Sequence, residues 1–198
     1  MSSTVVAGSE MAVGVRFDPD RLAYLEIAGL RAYYDHQWFR AFQLIIELMH
    51  EQFGLSWLRS VQAPYYVVRA MLAWAPKDAD KRTTHRYIRK FYRLAATYGR
   101  GATFDPVQAG NREYVYWDLH RKRGIDPNSD VEPYVECLAS LHTVIFGVGL
   151  DEARKSAVLR AQATDFIDSI TGKRSLDVDG DWRKAEARLR EAYRTVAA

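Results

Sequence analysis

The chain has 198 residues, of which 48% are hydrophobic and 27% charged, so it is long enough to bury the core of one globular domain. A net charge of only +3 supplies no overall field for nucleic acid, which is not an expected partner. A single cysteine, Cys137, excludes an intramolecular disulfide, and no stretch reaches the roughly 18 uncharged apolar residues of a membrane span. We therefore expect a cytoplasmic protein with no membrane partner. A flexible tail, residues 1–16, would precede one helical domain, residues 17–198.

Proline and glycine mark the predicted helix boundaries. Asp18-Pro19, Asp105-Pro106 and Glu132-Pro133 place proline at the first helical position, after an acid that can cap the helix. Glycines follow several periodic stretches, as is typical of helix ends. The pattern predicts helices at 19–33, 36–53, 56–75 with a break or kink at Pro64, 79–98, 106–123, 133–146, 152–171 and 181–196. No stretch alternates like a strand, so the predicted fold is all-α, a bundle of seven or eight helices.

The predicted helix 36–53 has an unusually wide apolar arc. Its polar residues fall in one narrow sector of the helical wheel: His36, Arg40, Gln43, Glu47, His50 and Glu51. A surface helix usually has a narrower apolar side. We therefore expect this helix to be central, with its polar stripe facing either a thin strip of solvent or an internal cavity.

Glu47 and His50 are the leading candidates for catalysis. They lie three residues apart on one face, and a carboxylate beside an imidazole suits general acid–base chemistry. Arg40 would neutralise an anionic group of the substrate, and His142 would be a further catalytic partner. The alternative is a solvated stripe in which Glu47 pairs with Arg40 or Gln43, one or two turns back.

The same spacing also suggests a metal site. Carboxylate-bridged di-iron bundles use Glu-x-x-His twice, with a further Glu on each remaining helix. The six candidate ligands here are Glu26, Glu47, His50, Glu113, Glu136 and His142. The match is partial, because Ala139 stands three residues before His142 and Glu136 stands six before it. The pattern therefore resembles that of di-iron proteins without establishing kinship.

Haem is the other cofactor that the sequence suggests. His142 lies among apolar residues of the predicted helix 133–146, and a buried histidine on such a helix can ligate haem iron. His142 or His50 would be the axial ligand, with His120 and Arg86 as cofactor-binding residues. No covalent attachment motif is present. Three alternatives therefore stay open at this point: a di-iron site, a haem site, and a protein without a cofactor.

Four arginines form a ridge along the predicted helix 79–98. Arg82, Arg86, Arg89 and Arg93 recur at spacings of four, three and four residues, which places them on one face. Guanidinium groups bind carboxylates and phosphates through forked hydrogen bonds. An acidic partner protein is one target; the alternative is a solvated face whose charge is balanced by Asp78, Asp80 and Glu113.

Two functions follow from these patterns. The leading hypothesis is a small cytosolic enzyme acting on an apolar or aromatic small molecule, in a Glu/His pocket between helices 36–53, 106–123 and 133–146. It would be an oxidoreductase if metal or haem binds there. The alternative is a non-catalytic docking protein that uses the arginine ridge on an acidic partner. An enclosed aromatic pocket with Glu47 or His50 would favour the enzyme, and a filled core with an exposed ridge would favour docking. The oligomeric state is left open.

Overall fold

A computed structural model describes residues 16–101, 103–126 and 129–197. These residues form eight helices: α1 Pro19–Tyr34, α2 Trp38–Phe53, α3 Trp57–Trp74, α4 Lys81–Tyr98, α5 Pro106–Ile125, α6 Glu132–Phe146, α7 Leu150–Thr171 and α8 Val178–Val196. They contain no strand, so the predicted all-α class is confirmed. The predicted tail lies outside the described residues, apart from Arg16. Within the described ranges, no helix has the length and apolar character needed to cross a membrane.

Two of the three acid–proline signals act as predicted. Asp18 accepts hydrogen bonds from the backbone N–H groups of the first turn of α1, and Asp105 does the same for α5. At α6 the prediction is wrong by one residue. Glu132 itself begins the helix, and the carboxylate of Asp130 accepts from its N–H at 2.9 Å. A short acid reaches back to the free donors, whereas glutamate caps poorly.

Helix α3 runs without interruption through Pro64, where the sequence predicted a break or kink. Proline removes one backbone hydrogen bond in the interior of a helix, normally at a cost of about 3 kcal/mol. Pro64 is buried, so its ring contributes to packing. Tertiary contacts of α3 with α4 and α2 can offset the missing bond, which local sequence rules do not take into account.

The eight helices close a ring. Each packs against its neighbours in the chain, and α8 returns to pack on α1; contact is most extensive between α7 and α8 and least extensive between α2 and α3. One hydrophobic cluster draws side chains from all eight helices. The largest fully buried side chains are Tyr134, Phe53, Leu22, Leu25, Leu55, Leu138 and Leu189. The interior of the ring is therefore a packed core.

Helix α2 is not central, contrary to the expectation from its wide apolar arc. The exposure of its apolar residues falls along the helix, from 76% at Phe39 and 47% at Phe42 to 8% at Met49 and 2% at Phe53. The C-terminal end is therefore embedded in the main core, whereas Ala41 and Leu44 nearer the start pack in a smaller buried cluster with α1. The aromatic residues of the first two turns face outward, so the wide arc reflects a partly uncovered surface rather than burial on all sides.

Candidate functional site

The polar stripe of α2 faces the outer edge of α1. Glu47 accepts a hydrogen bond from Arg21 at 3.1 Å, and Glu51 pairs with the same guanidinium at 3.3 Å. Glu51 also accepts from the backbone N–H of Asp18 at 2.8 Å. The partner of Glu47 is thus Arg21 of the neighbouring helix, and not Arg40 or Gln43 of its own helix. These ion pairs tie the start of α1 to α2.

His50 is engaged at the turn between α2 and α3. Its Nδ1–H donates to the carbonyl of Leu55 at 2.5 Å, and its ring stacks on Trp57 with the centroids 4.3 Å apart. Arg40 is exposed and donates to Gln37 at 3.3 Å. These contacts hold His50 at the surface of the bundle. Acid–base catalysis by Glu47 and His50 stays a prediction.

The six predicted metal ligands are divided between the interior and the surface. Glu26, Glu113 and His142 lie inside the ring, whereas the other three lie on its outside: Glu47, His50 and Glu136. Within the described ranges no three or more His, Cys, Asp or Glu side chains are grouped so that they could hold a metal ion. The Glu47–His50 face of α2 turns away from the interior, so the helical spacing alone does not assemble the predicted set.

The positive charge at the centre of the ring is Arg160 of α7. Its guanidinium binds Glu26 of α1 through two hydrogen bonds, of 3.2 and 2.5 Å, and donates to the hydroxyl of Tyr193 at 3.0 Å. Tyr193 in turn donates to the Glu26 carboxylate. Desolvation by itself would lower the pKa of Arg160. The interactions with Glu26 and Tyr193 outweigh this effect, so the pKa of Arg160 is raised. The bidentate geometry joins α1, α7 and α8.

Glu113 of α5 is the second interior carboxylate. It accepts from the Tyr92 hydroxyl at 2.9 Å and from the indole N–H of Trp117 at 2.7 Å. Burial raises the pKa of Glu113; these two hydrogen bonds, and then Arg160, partly offset the rise. Glu113 therefore binds protons more readily than an ordinary glutamate. It also points inward, so it cannot balance the charge of the arginine ridge.

Tyrosine hydroxyls extend this network towards α6. Burial raises the pKa values of Tyr92 and Tyr116 well above the ordinary value, and raises that of Tyr134 as well. The Tyr134 hydroxyl donates to Thr164 at 3.3 Å. We call Glu26, Tyr92, Glu113, Tyr116, Trp117, Tyr134, His142, Arg160 and Tyr193 the central cluster. The side chains of Arg160 and Glu26 remain 21% and 16% exposed, so solvent reaches this part of the interior.

His142 is the most strongly perturbed base of the central cluster. Burial and, to a smaller extent, the nearby charge of Arg160 lower its pKa to about 3, against a hydrogen bond with the backbone of Ala153 that raises it. Its Nδ1 atom is buried and has no hydrogen-bond partner among the described residues. His142 is thus neutral at physiological pH, with a free acceptor on its ring.

Loss of the titratable group at His142 should flatten the pH dependence of folding. The unfolded imidazole binds a proton below about pH 6.5, whereas the folded one stays neutral to about pH 3. Stability conferred by the neutral form is therefore present above pH 6.5 and lost as the pH falls, at up to about 1.4 kcal/mol per pH unit. In urea unfolding, His142→Met should lose about 1.6 kcal/mol less stability than the parent between pH 6.5 and 5.0. Equal losses in both proteins would contradict the burial of a neutral His142.

The remaining predicted cofactor residues lie apart from each other. His120 of α5 donates from Nε2 to the Asp168 carboxylate at 3.2 Å. Arg86 of α4 is exposed, with its guanidinium 5.3 Å from the centroid of the Tyr87 ring. Among the described residues, neither His120 nor Arg86 makes a hydrogen bond or ring contact with His142 or His50. Burial raises the pKa of Cys137 to about 11, so this thiol is protonated at neutral pH.

A half-open pocket of about 260 Å³ lies at one end of the ring. It is lined by the segment before α5, the start of α5 and the end of α6, with the side chains of Phe104, Gln108, Thr143 and Phe146 among them. Neither Glu47 nor His50 lines it. Its volume lies just below the range typical of small-molecule sites.

Sequence reasoning did not single out Arg160 or Tyr193. The signal was present, because Arg160 lies on the line Ala153, Ala157, Arg160, Thr164, with spacings of four, three and four, whose other members are small and buried. A charged residue in the middle of a core-facing line indicates a buried counter-charge. The identity of that counter-charge, Glu26, depends on how α1 packs against α7.

The outer surface of α2 and α3 is strongly apolar. We call ten exposed side chains the α2–α3 apolar face: Trp38, Phe39, Phe42, Trp57, Leu58, Val61, Tyr65, Val68, Met71 and Leu72. Single exposed apolar residues are common, but a group of this size on two consecutive helices usually marks an interaction site.

Beside this face lies a cluster of cations. Arg69 of α3 and Arg86 and Lys90 of α4 place their charged groups 5.2, 5.3 and 5.4 Å from the centroid of the Tyr87 ring. The structure shows no ion pair within 4 Å between any of the three and a carboxylate of the described chain. Three like charges around one ring, without a described counter-ion, favour an anionic binding partner.

Comparison with known proteins adds no relative. No protein-family model matches the chain, and searches of curated proteins and of solved structures return no significant match.

Proposed function

We propose that this protein is a non-catalytic docking module that binds an acidic partner protein through the arginine ridge of α4. The observation that carries the proposal is that three of the four arginines of the ridge are exposed and without ion pairs to the described residues. Arg82, Arg86 and Arg93 are exposed, and no ion pair joins any of them to a carboxylate of the described residues. Unpaired guanidinium groups are available to the carboxylates of a partner.

Two of the three acids expected to balance the ridge hold other contacts, although the charge of Asp80 also acts on Arg82. Asp80 accepts from the backbone N–H of Thr83 and caps α4, and Glu113 is held inside the ring by Tyr92 and Trp117. The fourth arginine, Arg89, donates to the side-chain amide of Asn111 at 2.8 Å. The ridge therefore carries its positive charge outward.

Charge reversal on the ridge should weaken binding of an acidic ligand. A fluorescent polyglutamate peptide serves as the probe, and its affinity is measured by anisotropy at low salt. The double variant Arg86→Glu/Arg93→Glu should raise the Kd about tenfold or more, because attraction is replaced by local repulsion.

The matched control is Lys155→Glu/Arg183→Glu, which makes the same change in net charge at exposed positions of α7 and α8. Its effect on the Kd should be several-fold smaller. Equal effects of the two double variants would mean that only net charge matters, and no binding by the parent protein would contradict the docking function itself.

A small-molecule enzyme is the second candidate. The observation that favours it is the central cluster, where a carboxylate of raised pKa, Glu113, shares the interior of the ring with Arg160 and His142. Groups of perturbed pKa of this kind concentrate at catalytic sites, although structural networks also contain them. Metal analysis and a visible absorption spectrum of the freshly purified protein test its di-iron and haem forms, a strong band near ~400 nm being the signature of haem.

A further inference from the structure

A line of five apolar side chains runs along the exposed side of α3. Leu58, Val61, Tyr65, Val68 and Leu72 recur at alternating spacings of three and four residues, and each is between 46 and 79% exposed. This alternation is the pattern by which one helix presents a seam to another. We call these residues the α3 seam.

The surface around the α3 seam is large enough for a stable complex. The ten members of the α2–α3 apolar face are on average about half exposed. At roughly 200 Å² for each of the five aromatic side chains, and less for the five aliphatic ones, they offer on the order of 1,000 Å². One partner of a standard interface contributes about 800 Å², so this face alone provides the area that a specific partner requires.

The positive charges beside the α3 seam favour a binding partner that carries negative charge. Neither α3 nor α4 contains an Asp or Glu. The ring of Tyr87, around which Arg69, Arg86 and Lys90 converge, lies 6.4 Å from that of Tyr65, a member of the seam. A second copy of the chain would bring cations against cations if it packed through the same surface. A helix with acidic residues beside its apolar line would instead pair with them.

We propose that the α2–α3 apolar face is the docking site for one amphipathic, acidic α-helix of the partner protein. The apolar side of that helix packs along the α3 seam, and its carboxylates reach the cations around Tyr87. From Leu58 to Leu72 the seam extends about 21 Å, which corresponds to a partner helix of about 15 residues. This inference rests on the proposed function and specifies the form of the acidic partner.

The test uses a peptide of about 21 residues made of three repeats of Leu-Glu-Glu-Leu-Glu-Glu-Glu, which places leucine on one helical line. The comparison peptide has the same composition with its leucines dispersed around the helix. Affinities for the full-length protein are measured by fluorescence anisotropy. The seam peptide should bind at least about tenfold more tightly than the dispersed peptide, because only the former matches the spacing of α3.

Variants locate the peptide on the protein. Leu58→Asp/Leu72→Asp should weaken binding of the seam peptide about tenfold or more, because both leucines lose their apolar contact with it. The control Leu150→Asp/Leu176→Asp changes two exposed leucines outside the face and should leave the affinity unchanged. All four leucines are at the surface, so folding, checked by circular dichroism, should be retained.

Other outcomes separate this inference from the function on which it rests. Equal affinities for the two peptides would overturn the helical seam while leaving acidic docking in place, and no binding of either peptide would contradict both. Binding to phosphatidylserine vesicles but to neither peptide, abolished by Leu58→Asp/Leu72→Asp, would assign the face to a lipid surface. A dimer in sedimentation that the same variant dissociates would assign it to a second copy.

Discussion

Replacement of Arg160 by methionine should destabilise the protein by about 3 kcal/mol, because it leaves the Glu26 carboxylate in the interior without its cation. This is the low end of the range for a buried pair, since both side chains keep some exposure. Methionine fills much of the same volume, so the loss measures charge rather than packing. Glu26 and the hydroxyl of Tyr193 both depend on this guanidinium for hydrogen bonds. The free energy of unfolding is measured by guanidinium chloride denaturation at pH 7.

Two further variants serve as controls for the loss of the Arg160 charge. Arg188→Met removes an exposed ion pair of α8, with Glu191 at 2.9 Å, and should cost at most about 1 kcal/mol. The double variant Arg160→Met/Glu26→Met should recover part of the loss, since replacing both buried partners by apolar side chains is often neutral. If Arg160→Met lowers the free energy of unfolding no more than Arg188→Met does, the ion pair between Arg160 and Glu26 is not shielded from solvent.

Two phenylalanines of α2 give the second prediction a matched control within one helix. Phe53→Ala should destabilise the protein by about 3–5 kcal/mol through the cavity it leaves. The ring of Phe53 is buried and lies 5.5 Å from that of Phe91 and 6.4 Å from that of Phe104. Phe39→Ala makes the same chemical change at an exposed position and should stay within about 0.5 kcal/mol.

Thermal and chemical unfolding of the two variants test the position of α2 in the ring. Similar losses for Phe39→Ala and Phe53→Ala would contradict an exposed Phe39 and a buried Phe53. The Phe39→Ala variant is also useful for testing the docking proposal. Phe39 belongs to the α2–α3 apolar face, so Phe39→Ala should preserve folding and is available as a probe of docking.

The central cluster combines two opposite pH effects. A neutral His142 loses its contribution to stability as the pH falls below 6.5, because the unfolded chain takes up the proton first. The raised pKa of Glu113 acts in the other sense, since the folded state binds its proton more tightly and loses stability as the pH rises above about 4.5. Between about pH 4.5 and 6.5 the two effects on the free energy of unfolding therefore oppose each other and partly cancel.

The helices were predictable because their signals are local. Caps such as Asp18 and Asp105 act within one turn, and the 3.6-residue periodicity describes each helix separately. The sequence rules gave all eight helices with small errors at their ends, such as the start of α8 at Val178 rather than 181, where Asp177 caps the helix through Gly180. The break at Pro64 did not occur, because a rule for isolated helices omits the packing of α3.

The sites were not predictable to the same extent. Spacing predicted that Glu47 and His50 share one face of α2, but it contained no information about their neighbours: Glu47 pairs with Arg21 of α1, whereas His50 stacks on Trp57 of α3. The apolar arc of α2 was read as burial, although half of it is exposed surface. A helical wheel gives angles around one axis, whereas burial depends on where the neighbouring helices lie.

The sequence by itself determined that the protein is helical, where its helices begin and end, and that four arginines share one side of α4. Only the tertiary structure decided that Glu26 meets Arg160, that Glu47 meets Arg21, and that α2 and α3 leave an apolar face uncovered. The physical reason is distance along the chain. Capping and periodicity act over a few residues, whereas Glu26 and Arg160 are 134 positions apart and meet only when the ring of helices closes.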